Sequence, residues 1–165
     1  MGILNKDEFN EHIFSRINNL IHDYNLIKEN ELIAVALSGG KDSVLTLHAL
    51  KNYQQFLDFD LVAISVDEGI EGYRQHGIDS AINNATELGV ELVQKSFKDE
   101  EGFALDDIYS EFKSACIPCG VFRRNILNQA GSKRRFIKTE PLVNFPAGTG
   151  MNMINNKSVF NCIYV

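Results

Sequence analysis

The sequence has no tryptophan, and its 165 residues include only three prolines and three cysteines. A small, odd number of cysteines argues against the disulfide framework of small secreted domains. No apolar run approaches the ~20 residues that a membrane span requires. The N-terminus lacks the basic, apolar and small-residue order of a secretory signal. These absences predict a soluble, cytoplasmic protein that does not associate with membranes.

The composition is that of an ordinary globular chain, with 44% hydrophobic and 23% charged residues. Its length corresponds to about one domain. The net charge is −6, whereas a general nucleic-acid-binding domain is basic overall. Any contact with nucleic acid therefore requires a local basic patch.

Apolar residues alternate between the spacing of helices and the continuous runs of buried strands. Between residues 9 and 24 they recur three and four apart, which predicts an N-terminal helix. Residues 32–37 and 61–66 are apolar runs typical of strands covered on both faces. Further helices are predicted over 44–50, 78–88, 104–113 and 121–130, and a third strand over 90–93. The alternation predicts an α/β fold with a parallel sheet flanked by helices.

Residues 38–43 read SGGKDS and join the first predicted strand to the next helix. Ligands bind at this carboxyl edge of parallel sheets. Glycines let backbone N–H groups approach a phosphate, and the helix start is electropositive. Ser38 and Ser43 supply hydroxyls, Lys41 a cation and Asp42 a candidate magnesium ligand. The segment is not a Walker A loop, because the first glycine of that motif is missing.

The turn after the second predicted strand is acidic and lies at the same edge of the sheet. It consists of Asp67, Glu68 and Gly69. A contact with a bound nucleotide and a simple solvated turn are both open interpretations, because acidic residues are common in turns of either kind.

A C-x-x-C motif lies well downstream, formed by Cys116 and Cys119. Two thiols at this spacing can share a metal ion or a cluster iron. Arg123 and Arg124 follow closely, and nearby cations lower the pKa of a thiol. Guanidinium groups also suit phosphates and RNA backbones. Taken alone, the pair leaves zinc binding, redox chemistry and iron–sulfur ligation open.

The loop sequence resembles the SGGxDS signature of the PP-loop, or N-type ATP pyrophosphatase, superfamily. Together with the downstream pattern CxxCGxxRRxxxN it resembles the tRNA 2-thiolation branch, which includes 2-thiouridine and 2-thiocytidine synthases. The resemblance implies a Rossmann-like, adenine-nucleotide-hydrolase-like domain. It also implies a tRNA sulfurtransferase that adenylates a pyrimidine oxygen, releases pyrophosphate and then exchanges AMP for sulfur.

The resemblance further implies which residues form the site. Catalytic roles fall on Cys116, Cys119, Arg123 and Asp42. Contacts with ATP fall on Ala36, Leu37, Ser38, Gly39, Gly40, Lys41, Asp42, Ser43, Ile64, Val66 and Asp67. The RNA contacts rest on the residues themselves: Arg123, Arg124 and the basic run Lys133, Arg134 and Arg135 suit RNA phosphates, and a solvated basic face is the open alternative.

The implied cofactors are ATP, Mg²⁺ and a [4Fe-4S] cluster, with zinc as the alternative metal. Cys116 and Cys119 would be two of the three cysteine ligands of the cluster, and the third is unknown. The implied partner is tRNA. The sulfur donor would be sulfide or a ubiquitin-like carrier protein, and a homodimer is left open.

The C-terminal part departs from the family pattern. The expected organisation is an N-terminal helix over 1–30, a PP-loop ATP-binding domain over 31–130 and a divergent segment over 131–165. Residues 148–152 keep only a faint echo of the family's TGHNxDD motif, and Cys162 does not match the spacing of a third ligand. We therefore expect a truncated or replaced C-terminal part, and ATP binding that survives better than sulfur transfer.

Two alternative functions remain. One is another PP-loop ligase that makes an amide or a lysidine-type product, for which no C-x-x-C pair is needed. The other is a nucleotide-binding remnant without turnover. The cysteine pair favours thiolation over the first alternative.

Overall fold

A parallel sheet with helices on both faces forms the computed structural model, which describes residues 6–72, 74–133 and 161–163. The elements are α1 (Lys6–Asp23), β1 (Leu32–Ala36), α2 (Lys41–Tyr53), β2 (Asp60–Asp67), α3 (Gln75–Glu87), β3 (Glu91–Ser96), α4 (Phe97–Glu101), α5 (Leu105–Ile108), a 3-10 turn (Tyr109–Glu111), α6 (Cys116–Lys133) and β4 (Asn161–Ile163). The strand order is β3-β2-β1-β4. The predicted α/β architecture is confirmed.

The register of the central strands brings their carboxyl ends to one edge. β1 pairs with β2 from Leu32 opposite Asp60 to Ala36 opposite Ile64, and β2 pairs with β3 up to Asp67 opposite Ser96. Both central strands are apolar without alternation because helices cover both faces of the sheet. The loops that follow β1 and β2 therefore lie side by side.

Two hydrophobic cores lie on opposite faces of the sheet. Helices α1, α2 and α3 cover the first core, and α4, α5 and α6 cover the second. The alternation of side chains along β2 divides them between the cores: Ala63 belongs to the first, and Val62 and Ile64 to the second. Each face thus has its own packed support for the segments at the carboxyl edge.

The helices of the second face differ from the sequence prediction. The predicted helix over 104–113 is wrong in extent: α5 ends at Ile108, a 3-10 turn follows, and Phe112 is extended. Helix α4 was missed, although Ser96 caps it through a 3.0 Å bond from the Asp99 N–H and Gly102 ends it with φ +86°. The helix predicted over 121–130 begins earlier, at Cys116. The C-x-x-C motif therefore forms the first turn of α6.

The backbone of β4 lies parallel to β1, with Ile33 opposite Asn161. The expectation of an altered C-terminal part falls mostly on residues 134–160, which lie outside the described residues. Among the helices that the structure describes, none combines the length and apolar character needed to cross a bilayer.

Candidate functional site: a pocket between the phosphate loop and the C-x-x-C helix

A cavity of about 510 Å³ lies over the carboxyl ends of β1 and β2. Segments from both helical layers contribute to its walls. It is lined by Ala36, Leu37, Ser38, Gly39, Gly40, Ile64, Val66, Glu68, Ile70, Arg74, His76, Gly77, Arg123 and Leu127. An apolar floor with polar groups at the rim is the usual composition of a small-molecule pocket.

The SGGKDS segment, residues 38–43, is called the phosphate loop below. Hydrogen bonds of its two serines stabilise its conformation. The Ser38 and Ser43 hydroxyl oxygens are 3.1 Å apart, and the Ser43 hydroxyl donates to the Gly40 carbonyl at 2.9 Å. The Gly40 N–H donates to the Ser38 hydroxyl oxygen at 3.3 Å. Ser43 is buried. Its hydroxyl therefore holds the loop together and does not line the cavity.

The two glycines of the loop have different surroundings. Gly39 has φ +81°, and a Cβ there would lie 1.9 Å from the Gly77 carbonyl oxygen. The start of α3 thus packs directly on the loop, and the Ser80 hydroxyl donates to the Gly39 carbonyl at 3.0 Å. At Gly40 a Cβ would meet the Ser38 hydroxyl at 3.4 Å, an ordinary contact. The fold therefore requires glycine at position 39, whereas the space beside Gly40 is open to a ligand.

Glu68 is a buried carboxylate at the end of β2, with 2% of its side chain exposed. Its Oε2 lies 2.7 Å from Arg74 Nε, and its Oε1 lies 2.7 Å from Arg123 Nη2. The loop is fixed by a bond from the Leu105 N–H to the Glu68 carbonyl at 2.8 Å. Gly69, with φ +71°, allows this approach because a Cβ there would lie 2.7 Å from Ala104 Cβ. Since two guanidinium groups face one carboxylate, the cluster carries a net charge of +1.

Arg123 also contacts the C-x-x-C motif, one helical turn away. Its Nη2 donates to Cys119 Sγ at 3.0 Å. Burial raises the pKa of the Cys119 thiol, and the Arg123 charge lowers it only in part. The net shift is upward, opposite to the lowered thiol pKa predicted from the neighbouring arginines, because desolvation of the thiolate outweighs the cation. Cys116 is exposed at the start of α6.

The predicted catalytic and ATP-contacting residues divide into two groups. Eight line the cavity: Ala36, Leu37, Ser38, Gly39, Gly40, Ile64, Val66 and Arg123. Six others lie outside its lining: Lys41, Asp42, Ser43, Asp67, Cys116 and Cys119.

The charged members of the second group point elsewhere. Lys41 Nζ pairs with Asp42 Oδ1 at 2.8 Å, and both side chains are exposed. The Asp67 carboxylate accepts the Gly69 N–H at 2.9 Å. It therefore stabilises the turn, while its neighbour Glu68 faces the cavity.

Sequence reasoning did not assign Glu68, Arg74, His76 or Gly77 to the site. The acidic turn at the end of the second predicted strand was the available signal for Glu68. No motif marked the start of α3, since its role follows from packing against the phosphate loop.

The residues predicted to contact RNA lie on or beyond α6. Arg124 is exposed, and its Nε donates to the Gly120 carbonyl at 2.9 Å. Lys133 is the last residue of α6. Arg134 and Arg135 lie outside the described residues.

The part of the chain that the structure describes supplies an incomplete ligand set for a cluster. Cys116 and Cys119 offer two thiols in one helical turn. No group of three His, Cys, Asp or Glu side chains suited to a metal ion occurs among the described residues. The side chain of Cys162 is not among those described. The pair therefore fits part of a cluster site but does not define one.

A parallel sheet with a glycine-rich loop at its carboxyl edge and a cationic pocket beside that loop is the architecture of a nucleotide-binding α/β domain. The family described as PP-loop domain matches residues 9–117. The chain belongs to this family.

Curated relatives share this region of the chain. The cytoplasmic tRNA 2-thiolation protein 1 of Chlamydomonas reinhardtii is 38% identical over 117 residues, which cover 68% of this chain and 33% of the relative. The protein of the same name from Saccharomyces cerevisiae RM11-1a is 37% identical over 123 residues, covering 72% and 34%. The chain thus spans about a third of the length of these relatives.

A solved structure has a similar fold. The U34-tRNA thiolase NcsA from Methanococcus maripaludis with its [4Fe-4S] cluster matches with a TM-score of 0.67 and 37% identity. The match covers 77% of this chain and 42% of that one.

Proposed function

We propose that the protein acts in ATP-dependent 2-thiolation of a tRNA pyrimidine. The observation that carries the proposal is Arg123, which lines the pocket beside the phosphate loop and donates to Cys119 Sγ at 3.0 Å. A nucleotide site and a thiol pair thus share one cationic side chain. The names of the curated relatives and of the similar solved structure support this reaction.

The first step proposed is adenylation. The N–H groups at the start of α2 and the net charge of the Glu68 cluster hold the triphosphate of ATP. The C2 oxygen of the base attacks the α-phosphorus, and the bond to pyrophosphate breaks. Mg²⁺ would neutralise the phosphates, with Asp42 as its candidate ligand. The apolar floor of Ala36, Ile64 and Val66 suits the adenine ring.

The second step proposed is sulfur transfer. Sulfide attacks C2, the bond from C2 to the adenylate oxygen breaks, AMP leaves, and the sulfur loses its proton to solvent. Arg123 stabilises negative charge on sulfur beside Cys119, because a charge-assisted hydrogen bond favours the anion. A bound [4Fe-4S] cluster, or zinc, would supply a Lewis-acidic site for sulfide. Cys116 and Cys119 are its candidate ligands.

The proposed partners are tRNA and a donor of sulfur, either sulfide or a ubiquitin-like carrier. Exposed Arg124 with Lys133, Arg134 and Arg135 would contact the RNA backbone. We place the reaction in the cytoplasm.

The test is an anaerobic reaction of the purified protein with ATP, Mg²⁺, sulfide and tRNA. We expect tRNA-dependent release of pyrophosphate, and 2-thiouridine or 2-thiocytidine detected by mass spectrometry of the nucleosides. Cys119→Ser should keep pyrophosphate release, because adenylation does not use the thiol. The thionucleoside yield should fall by about 100-fold or more, because Cys119 is a candidate ligand of the group that would bind sulfide.

Gln55→Ala is the control, since Gln55 is exposed beyond the C-terminal end of α2. Pyrophosphate release with an amide or lysidine-type product would indicate another PP-loop ligase, and pyrophosphate release with no modified nucleoside would indicate that this chain adenylates but has lost sulfur transfer. A protein that neither binds ATP nor releases pyrophosphate would contradict the proposal.

A further inference from the structure

The carboxylate of Glu68 joins the two halves of the site. Each of its oxygens lies 2.7 Å from a different guanidinium, Oε2 from Arg74 and Oε1 from Arg123. A carboxylate that is 2% exposed is costly unless both oxygens are paired. The requirement is met because one arginine from each side of the pocket pairs with one of the two oxygens.

The first arginine connects Glu68 to the phosphate loop. Arg74 Nη1 donates to the Ser38 carbonyl at 2.8 Å, and Nη2 donates to the Val66 carbonyl at 2.8 Å. Its guanidinium therefore bridges the end of β2, the loop after β1 and the Glu68 carboxylate. A planar fork with several fixed donors is suited to such a bridge.

The second arginine connects Glu68 to α6, the helix that carries the C-x-x-C motif. Arg123 Nη2 contacts both Glu68 and Cys119 Sγ, while its Nε is buried without a hydrogen-bond partner among the described residues. The side chain is 43% exposed. Without the carboxylate, solvent would compete for this guanidinium, because a single weak N–H to sulfur contact would remain.

We propose that Glu68 is the positioning residue of the site: it holds Arg74 against the phosphate loop and Arg123 against Cys119, and so aligns the nucleotide half with the thiol half. It acts through the two arginines and touches no reacting atom. The part of this inference that concerns ATP rests on the proposed function. The part that concerns Arg123 rests on the geometry alone.

Glu68→Gln tests the proposal, because glutamine has a similar shape but neither the charge nor two acceptors. In nitrogen-15 NMR spectra of the wild type, the Nε–H signal of Arg74 and the Nη2–H signal of Arg123 should be protected from solvent exchange, because these are the groups that contact Glu68. Arg74→Lys and Arg123→Lys identify the two signals. In Glu68→Gln both signals should lose protection by about tenfold or more. Calorimetry should show ATP binding weakened by about tenfold or more, because the loss of one correctly placed bond from an arginine to a phosphate outweighs the attraction gained from one uncompensated positive charge at the exposed pocket.

Glu71→Gln is the matched control, since Glu71 is exposed in the same loop. It should leave both signals and the ATP affinity unchanged. Retention of both protected signals in Glu68→Gln would overturn the proposal, as would unchanged ATP affinity in a variant that has lost them.

Two further outcomes keep the inference separate from other failures. If Glu68→Gln does not fold, Glu68→Asp carries the test. Its side chain is one methylene shorter, so at least one of the two arginine signals must lose protection, and two unchanged signals overturn the proposal. If the wild type binds no ATP, the proposed function fails. The exchange measurements on Arg74 and Arg123 still decide the role of Glu68.

Discussion

Neighbouring glycines in the phosphate loop differ in what a methyl group would meet. Gly39→Ala should lower the free energy of unfolding by about 2 kcal/mol or more. The φ of +81° is strained for alanine, and the new Cβ would lie 1.9 Å from the Gly77 carbonyl oxygen. Gly40→Val should cost only about 1 kcal/mol of stability, because Gly40 is the N-cap of α2, but should bind ATP weakly, since its bulk fills open space where a phosphate would approach.

Urea unfolding and calorimetry separate these two effects. The pair serves as its own control, because the same loop is changed at adjacent positions. Tight ATP binding by Gly40→Val, or full stability of Gly39→Ala, would contradict the assignments made to the two glycines.

The thiol of Cys119 should titrate at a higher pH than an ordinary cysteine, because its pKa is raised. Burial raises its pKa and Arg123 lowers it in part, so the thiolate forms at higher pH in the folded protein than in the unfolded chain. The neutral thiol thus contributes stability that is fully present below the unfolded pKa and is lost as pH rises through the folded pKa. Alkylation of Cys119 should accelerate at higher pH in native protein than in urea, and Arg123→Met should move the rise higher still.

Peptide mapping by mass spectrometry resolves Cys119 from the other cysteines. A native profile that coincides with the profile in urea, or that lies below it, would show that burial does not dominate at this thiol.

Among the helices, α6 depends on a cluster of aromatic rings. Phe97, at the start of α4, is fully buried, and its ring is 6.0 Å from that of Phe122 and 6.5 Å from that of Phe103. Phe97→Ala should cost about 3–5 kcal/mol in the free energy of unfolding, because it leaves a cavity beneath the helix that carries Cys119 and Arg123.

Denaturant unfolding measures this loss. Phe56→Ala provides the comparison, because Phe56 is 68% exposed and its loss should cost less than about 1 kcal/mol. Equal costs for the two variants would contradict the packing role of Phe97.

The elements differ in how well their sequences predict them. The continuous apolar runs around Val35 and Ala63 identified β1 and β2, since buried parallel strands need no polar face. Helix α4 has only five residues, too few for a periodicity to show, and its start depends on the Ser96 cap. The Asp107 carboxylate accepts the Ala104 N–H at 2.8 Å and so stabilises the start of α5. The helix predicted over 104–113 is nevertheless short, because a 3-10 turn follows Ile108 and Phe112 is extended.

For the whole molecule, the motifs indicated where the candidate site lies but not the long-range contacts that connect its parts. The sequence indicated the phosphate loop and the cysteine pair because each is a local pattern. The contact of Glu68 with Arg123 spans many intervening residues and depends on where α6 crosses the sheet, so no local pattern encodes it. The same holds for Gly39 and Gly77, whose approach follows from the packing of α3 on the loop.

Each half of the site is anchored in a separate core. The phosphate loop is supported by α2 and α3 on one face of the sheet, and Cys119 and Arg123 belong to α6 on the other. Under the proposed function, substitutions beside Cys116 in the first turn of α6 would change the thiol side of the site without contacting the loop, and changes around the loop would do the reverse. The two properties can therefore diverge separately, except through Glu68 and Arg123, whose contacts join the two sides of the site.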